Sequence, residues 1–198
     1  MTPTEKYRSY NLILASGSPR RHQFLKNLDL DFSIQTFDVE EIYPKTLEAH
    51  EITDYLAKLK AKPFEAQLLP SDTIVITSDT IVWFEGKALG KPKDKNHAIE
   101  ILSKLSGNTH DVISSVCLTS SQDQQVAHQY TQVTFRTLTP EEIRYYVHTY
   151  EPLDKAGAYG IQEWIGLVGI TEIKGSYPNV VGLPTTLLYS MLDSFVST

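Results

Sequence analysis

The sequence predicts an α/β fold: a mixed, twisted sheet with flanking helices, arranged as two lobes around a central cleft. Three observations carry this reading. Short apolar runs alternate with helical stripes through the first half of the chain. Adjacent β-rich runs then appear without a helix between them, which argues for a mixed sheet. Hydrophobic residues make up 41% of 198 residues and aromatics 10%, enough to bury a sizeable core in a single domain spanning 1–198.

The elements follow in order. Asn11 to Ala15 is an apolar run that reads as a buried strand. Ser18 stands at an N-cap position with Pro19 at the first helical position, so a helix is expected from Pro19 to about Leu28. Asp29 then falls where a left-handed residue, usually glycine, ends a helix. A second strand is expected near Phe32 to Gln35. Ile52, Tyr55, Leu56 and Leu59 mark one face of a second helix, expected to stop before Pro63. Ile74 to Thr77 reads as a buried strand ending at Ser78-Asp-Thr80, with a hairpin around Glu85-Gly86. Ala98, Ile101, Leu102 and Leu105 mark a third helix. Two β-rich runs follow, Asp111 to Thr119 and Val126 to Phe135. Thr139-Pro-Glu-Glu142 is a capping box that opens a helix with Ile143, Tyr146, Val147 and Tyr150 on one face. Leu188, Met191, Leu192 and Phe195 define a last helix behind Pro184.

Charge and cysteine content exclude several classes. The net charge of −6 argues against a globally basic surface, hence against a nucleic-acid polymer or an anionic membrane as partner. Cys117 is the single cysteine, so neither an intrachain disulfide nor a cysteine-cluster metal site is available, and a reducing compartment is expected. No apolar run approaches the ~18 residues of a membrane span. Met1 to Tyr10 lacks an apolar signal-peptide core. A cytoplasmic location is the expectation.

Open α/β sheets bind ligands beyond the C-terminal ends of their strands. Ser16 to Arg21 and Ser78 to Thr80 both fall at expected strand ends, so both are candidates to face one cleft. In Ala15-Ser-Gly-Ser-Pro-Arg-Arg21, Ser16 and Ser18 are small enough to let backbone N–H groups approach an anion at the start of a helix. Arg20 and Arg21 add charged donors; the alternative is a capped helix with solvated arginines. Asp79 is a candidate metal ligand or proton acceptor, or else the head of an Asx-turn. Glu40 and Glu41 could complete an oxygen-only site with Asp79, or form a solvated acidic turn. Lys91 sits in a loop between Gly90 and Pro92; Lys60 reads on its own as an exposed helix charge. Gln162 closes a small-residue loop, Asp154 to Gln162, in which Lys155 either reaches a phosphate or pairs with Asp154. The six histidines show no pair at metal-ligand spacing such as HExxH. There is no P-loop, GxGxxG or GxSxG signature. Cys117, Trp83 and Trp164 read as packing.

Taken together and in order, these segments resemble the Maf family of nucleoside triphosphate pyrophosphatases, from about Leu12 to Leu192. The blocks that carry the resemblance are Ala15 to Arg21, Asp38-Val-Glu-Glu41, Leu56-Ala with Lys60-Ala61, Ser78-Asp-Thr80, Gly90-Lys-Pro92, Leu105-Ser-Gly with His110, Val133 to Leu138, Pro152 to Gln162, and Gly175-Ser-Tyr with Asn179 to Pro184. The family usually has glycine where this chain has Asp29.

The resemblance implies hydrolysis of a nucleoside triphosphate to monophosphate and pyrophosphate with a divalent cation, Mg²⁺ or Mn²⁺. It places the general base or metal carboxylate on Asp79, phosphate and specificity residues on Arg20, Thr80 and Gln162, and Glu41, Lys60 and Lys91 in the same cleft. Members with Arg, Thr and Gln at the three specificity places look like dTTP/UTP pyrophosphatases. A sister group acting on 7-methyl-GTP has an aromatic residue, Gln and Glu there. The resemblance also implies a homodimer. Two other readings use the same residues: a non-catalytic nucleotide-binding regulator of cell division, and the same hydrolysis of a modified purine nucleotide.

Overall fold

The computed structural model describes residues 4–65, 67 and 69–196. Its β1 (Asn11–Leu14) pairs in parallel with β2 (Ser33–Ile34) on one side and β3 (Thr73–Phe84) on the other. The sheet has the order β2-β1-β3-β5-β6-β7, with β4 (Lys87–Leu89) antiparallel to β3. The remaining strands are β5 (Thr109–Thr119), β6 (Gln124–Phe135) and β7 (Ile170–Lys174), and β7 runs antiparallel to β6. Parallel and antiparallel pairs thus coexist, as the alternating and then adjacent strands predicted.

The helices are α1 (Pro19–Asn27), α2 (His50–Glu65), α3 (Lys95–Leu105), α4 (Pro140–Tyr150), α5 (Trp164–Gly169), α6 (Tyr177–Val181) and α7 (Thr185–Val196). The chain forms two compact units. The first contains the chain up to Asp79, Ser114–Gln129 and the chain from Gly182 onward; the second contains Thr80–Ile113 and Tyr130–Val181.

Each unit has its own core. In the first, Leu12, Leu14, Ile74 and Ile76 pack with Leu25 of α1 and Leu188 and Leu192 of α7. A smaller cluster sets Ala57 and Ala61 of α2 against Cys117, which is fully buried as expected. In the second, Val82, Val112 and Phe135 pack with Ile101 and Leu102 of α3, Tyr146 of α4 and Ile165 of α5.

Four expectations are corrected. β3 does not end at Ser78–Thr80 but runs on to Phe84; it is β1 that stops, with Leu14 opposite Ile76. Asp79 therefore lies in an extended strand just past the end of its neighbour, and an Asx-turn there is excluded. Next, α2 continues through Pro63 to Glu65. The proline lies in the last turn, where it removes only one helical hydrogen bond, and the next residue, Phe64, is buried against Ile13 and Val75. The buried face of α2 is also rotated from the expected one: Thr53, Ala57 and Ala61 join Ile52 and Leu56, because alanine lets the helix approach the sheet closely. Finally, Ser18 occupies the N-cap of α1, but its side chain makes no cap hydrogen bond.

Other expectations hold in detail. Glu85 and Gly86 both have positive φ in the two-residue turn joining β3 to β4. Thr139 and Glu142 form the reciprocal capping box of α4. Asp29 has φ of 53°, and α1 ends with Asp29 N–H donating to Lys26 C=O and Leu30 N–H to Leu25 C=O, a Schellman arrangement with aspartate in the left-handed place.

Candidate active site

The first unit gathers charge around one lysine. Lys60 Nζ lies 2.6 Å from Asp79 Oδ1 and 3.0 Å from Glu41 Oε1. Asp79 is 6% exposed, so its carboxylate is held within the protein and paired there. Three local features bring the trio together. Lys60 is carried on α2, which is tied to β3 by Thr77 Oγ1 donating to Ala57 C=O at 2.7 Å. Asp79 sits within β3 just beyond the end of β1. The segment bearing Glu41 is anchored by an edge-to-face contact of Phe37 with Phe64, centroids 4.9 Å apart. Glu40-Glu41, read as either a site or a solvated turn, thus supplies one partner, Glu41, while Lys60 is an ion-paired group rather than a solvated helix charge.

The Ser16–Arg21 loop adjoins this trio. Arg21 Nε donates to Gly182 C=O at 2.8 Å, and its Nη1 to Ser78 C=O at 2.9 Å and Ser16 Oγ at 3.3 Å. Ser18 N–H donates to Ser16 Oγ at 3.2 Å, and the His22 ring lies 2.6 Å from Ser16 C=O. Burial lowers the Arg21 pKa from its usual value, and the Asp79 carboxylate opposes that shift. Arg20 and Glu41 also act on Arg21 electrostatically, so both arginines and both carboxylates share one neighbourhood. Arg21 fastens the loop to β3 through the carbonyl next to Asp79.

The second unit holds Thr80, Lys91 and Gln162. Thr80 follows Asp79 on β3. Lys91 is exposed beside buried Pro92, and Gly157 N–H donates to Gly90 C=O at 3.3 Å, which ties that loop to the small-residue loop. Gln162 is exposed. The backbone leading to it is built tightly. Gly157 has φ of 71°, and a Cβ there would meet Val82 Cγ2 at 2.6 Å; Ala158 follows in a left-handed conformation and is fully buried. Gly160 N–H donates to Tyr146 Oη at 3.0 Å, and Tyr146 Oη hydrogen-bonds to Glu163. Lys155 pairs with Asp154 at 2.7 Å and with Glu163 at 3.1 Å. His110 Nε2 lies 2.8 Å from the buried Tyr159 hydroxyl. Glu163 and Tyr146 are supports that the sequence reading missed: Tyr146 reads as an ordinary helix-stripe residue, and nothing marks Glu163 as its partner.

The Asp79–Glu41 pair sharing Lys60, the loop at the start of α1, and the tightly built loop ending in exposed Gln162 all fall in blocks that carry the resemblance. Residues 11–195 match the Maf-like protein family. The chain belongs to that family. Among its relatives, a protein of Flavobacterium psychrophilum named dTTP/UTP pyrophosphatase is 56% identical over 95% of this chain and 96% of its own length. One of the same name from Flavobacterium johnsoniae is 53% identical over 97% and 98%, and one from Porphyromonas gingivalis is 41% identical over 96% and 97%. The solved structure of the Staphylococcus aureus Ham1 protein superposes with a TM-score of 0.55 at 16% identity, covering 93% of this chain and 99% of that one. At that identity the likeness is one of fold.

Proposed function

We propose that this Maf-like chain hydrolyses dTTP and UTP to the monophosphate and pyrophosphate. The observation that carries the reading is the Lys60 ammonium held between Asp79 and Glu41, next to the loop that Arg21 fastens to β3. Near-full-length relatives that bear the name dTTP/UTP pyrophosphatase support the substrate class, as do Arg20, Thr80 and Gln162, the residues of the pyrimidine-type members.

In this reading the Ser16–Ser18 loop and Arg20 receive phosphate oxygens, with Lys60 and Lys91 neutralising charge on the triphosphate. Arg21 acts through the loop it holds. Asp79 accepts the proton of the water that attacks the α-phosphorus, with Glu41 assisting. Asp79 and Glu41 form an oxygen-only donor pair that already shares one cation, the Lys60 ammonium, and such a pair fits a hard divalent ion, Mg²⁺ or Mn²⁺. When bound, that ion supplies neutralisation of the developing phosphate charge. Gln162 reads the pyrimidine edge with its amide, kept in place by the loop from Gly157 to Glu163. We place the activity in a cytoplasmic nucleotide pool and in a homodimer; among the described residues no helix is long and apolar enough to cross a membrane.

The test is pyrophosphate release from a panel of pyrimidine, purine and modified nucleotides with Mg²⁺ or Mn²⁺, using wild-type protein and Asp79→Asn. UTP and dTTP are expected to turn over fastest, and Asp79→Asn to lose most activity while remaining folded, as read by circular dichroism. Full UTP hydrolysis by Asp79→Asn removes that residue from catalysis. Nucleotide binding without any release favours the regulator, and preference for a modified purine moves the substrate class.

A further inference from the structure

A second group of metal-competent side chains lies in the first unit, away from the Lys60 cluster. His50 and Asp54 stand four residues apart at the start of α2, hence on one face of the helix. His128 approaches them from β6. A ring nitrogen of each histidine and a carboxylate oxygen of Asp54 all lie within 4.8 Å of one another. His128 Nδ1 is 3.1 Å from Asp54 Oδ2, and the two imidazole rings face each other with centroids 4.0 Å apart, tilted by 30°.

The surroundings orient this group. Ser115 Oγ lies 2.6 Å from Asp54 Oδ1, the carboxylate oxygen turned away from His128, and also 2.6 Å from Thr53 Oγ1. One carboxylate oxygen is thus held by Ser115 while the other meets the His128 imidazole, the arrangement that fixes a metal-ligating carboxylate. The side chains of His128 and Asp54 are 33% and 23% exposed, which leaves an entry path and room for water as a further ligand.

We propose that His50, Asp54 and His128 bind a borderline divalent transition-metal ion, with Zn²⁺ as its representative. Two imidazoles and one carboxylate are a mixed nitrogen and oxygen set, suited to Zn²⁺, whereas Mg²⁺ takes oxygen ligands. A tetrahedral ion with bonds near 2.0–2.1 Å spaces its ligand atoms roughly 3.3 Å apart. The His128–Asp54 pair already meets that distance, and small rotations of partly exposed side chains bring in His50. The site is separate from Asp79 and Glu41: His50 and Lys60 stand ten positions apart on α2, about 15 Å along its axis. Bound metal fastens the first turn of α2 to β6, and so steadies the helix that carries Lys60.

The experiment uses the full chain, stripped with a chelator, and titrates ZnCl₂ and separately MgCl₂ by calorimetry with parallel melting curves. The expected result is one Zn²⁺ per chain in the presence of millimolar Mg²⁺. At a hundredfold excess over Kd the melting temperature should rise by roughly 5–10 °C. Replacing the bound ion with Co²⁺ should give the visible absorption of a tetrahedral nitrogen and oxygen site. His50→Ala and His128→Gln should each weaken Zn²⁺ binding at least tenfold, with metal-free melting temperatures near that of the wild type. Asp79→Asn should bind Zn²⁺ as the wild type does. Absence of Zn²⁺ binding, wild-type affinity in either histidine variant, or loss of the site in Asp79→Asn overturns the proposal. None of these outcomes depends on which nucleotide is hydrolysed.

Discussion

His110 makes a quantitative claim about pH. The residue is 3% exposed, its ring lies nearly parallel to Phe135 and edge-on to Tyr159, and Nε2 meets the Tyr159 hydroxyl at 2.8 Å. Nδ1 is buried without a hydrogen-bond partner among the described residues. A protonated ring would need a second acceptor there and would lose its hydration, so burial holds the pKa at about 4 against an ordinary 6.5. A folded-state pKa below the unfolded value means that, as pH falls through 6.5, the unfolded chain takes up a proton that the folded chain refuses. Stability supplied by neutral His110 is therefore full above pH 6.5 and is lost progressively down to pH 4. The interval from 6.5 to about 4 spans about 2.5 pH units. At about 1.4 kcal/mol for each, it is worth about 3 kcal/mol. His110→Gln keeps a polar group for Tyr159 and removes the titration. Urea unfolding of both proteins at intervals from pH 7.5 to 4.5 checks the reasoning. The variant is expected to be the less stable at pH 7.5 and to close that gap by about 2 kcal/mol or more by pH 4.5. A gap that stays constant with pH refutes the argument.

Three further outcomes are expected. Gly157→Ala places a Cβ at 2.6 Å from Val82 Cγ2 in a left-handed residue; about 1 kcal/mol for the backbone and roughly 1–3 for overpacking should appear as a lower urea midpoint. Arg21→Lys cannot reach Gly182 C=O, Ser78 C=O and Ser16 Oγ together. It should cost about 2 kcal/mol in thermal stability and lower kcat/KM for UTP, although the positive charge is retained. Arg136 and the Thr139 N–H hold the Glu142 carboxyl at about 2 against 4.5. That stability is present above pH 4.5 and lost as pH falls through 2. Because the pair is partly solvated, Glu142→Gln should remove only about 0.5–1 kcal/mol of the acid dependence, read from melting temperatures at pH 5 and pH 2.5.

Local signals in the sequence located most elements. The α3 stripe and the α4 capping box are written within a few residues of one another, so no distant contact was needed to read them. The errors arise where tertiary contact overrides local preference. Pro63 signals a stop, but burial of Phe64 carries α2 past it. Ser78–Thr80 reads as a strand end because polar residues follow an apolar run; what ends there is β1, a fact of pairing and not of the residues themselves. The short elements α5, β7 and α6 lie in or after the glycine-rich stretch, where small residues weaken every periodic signal. At the site, family blocks mark Asp79, Glu41 and Lys60, while their shared ion pairing is visible only in three dimensions. The same holds for His50, Asp54 and His128: a search for paired histidines passes over a helix and a strand that lie 74 residues apart between Asp54 and His128.

Asp29 has a consequence for how the protein can change. An aspartate keeps a left-handed position that glycine fills with less strain, at the far end of the helix whose start bears Arg20 and Arg21. Exchanging it for glycine should gain about 0.5–1 kcal/mol without touching a charged group of the site. Natural selection tests whether a fold clears a stability threshold and leaves such margins unclaimed. Position 29 is thus a reserve: one substitution there can offset a destabilising change elsewhere, such as one that alters nucleotide preference.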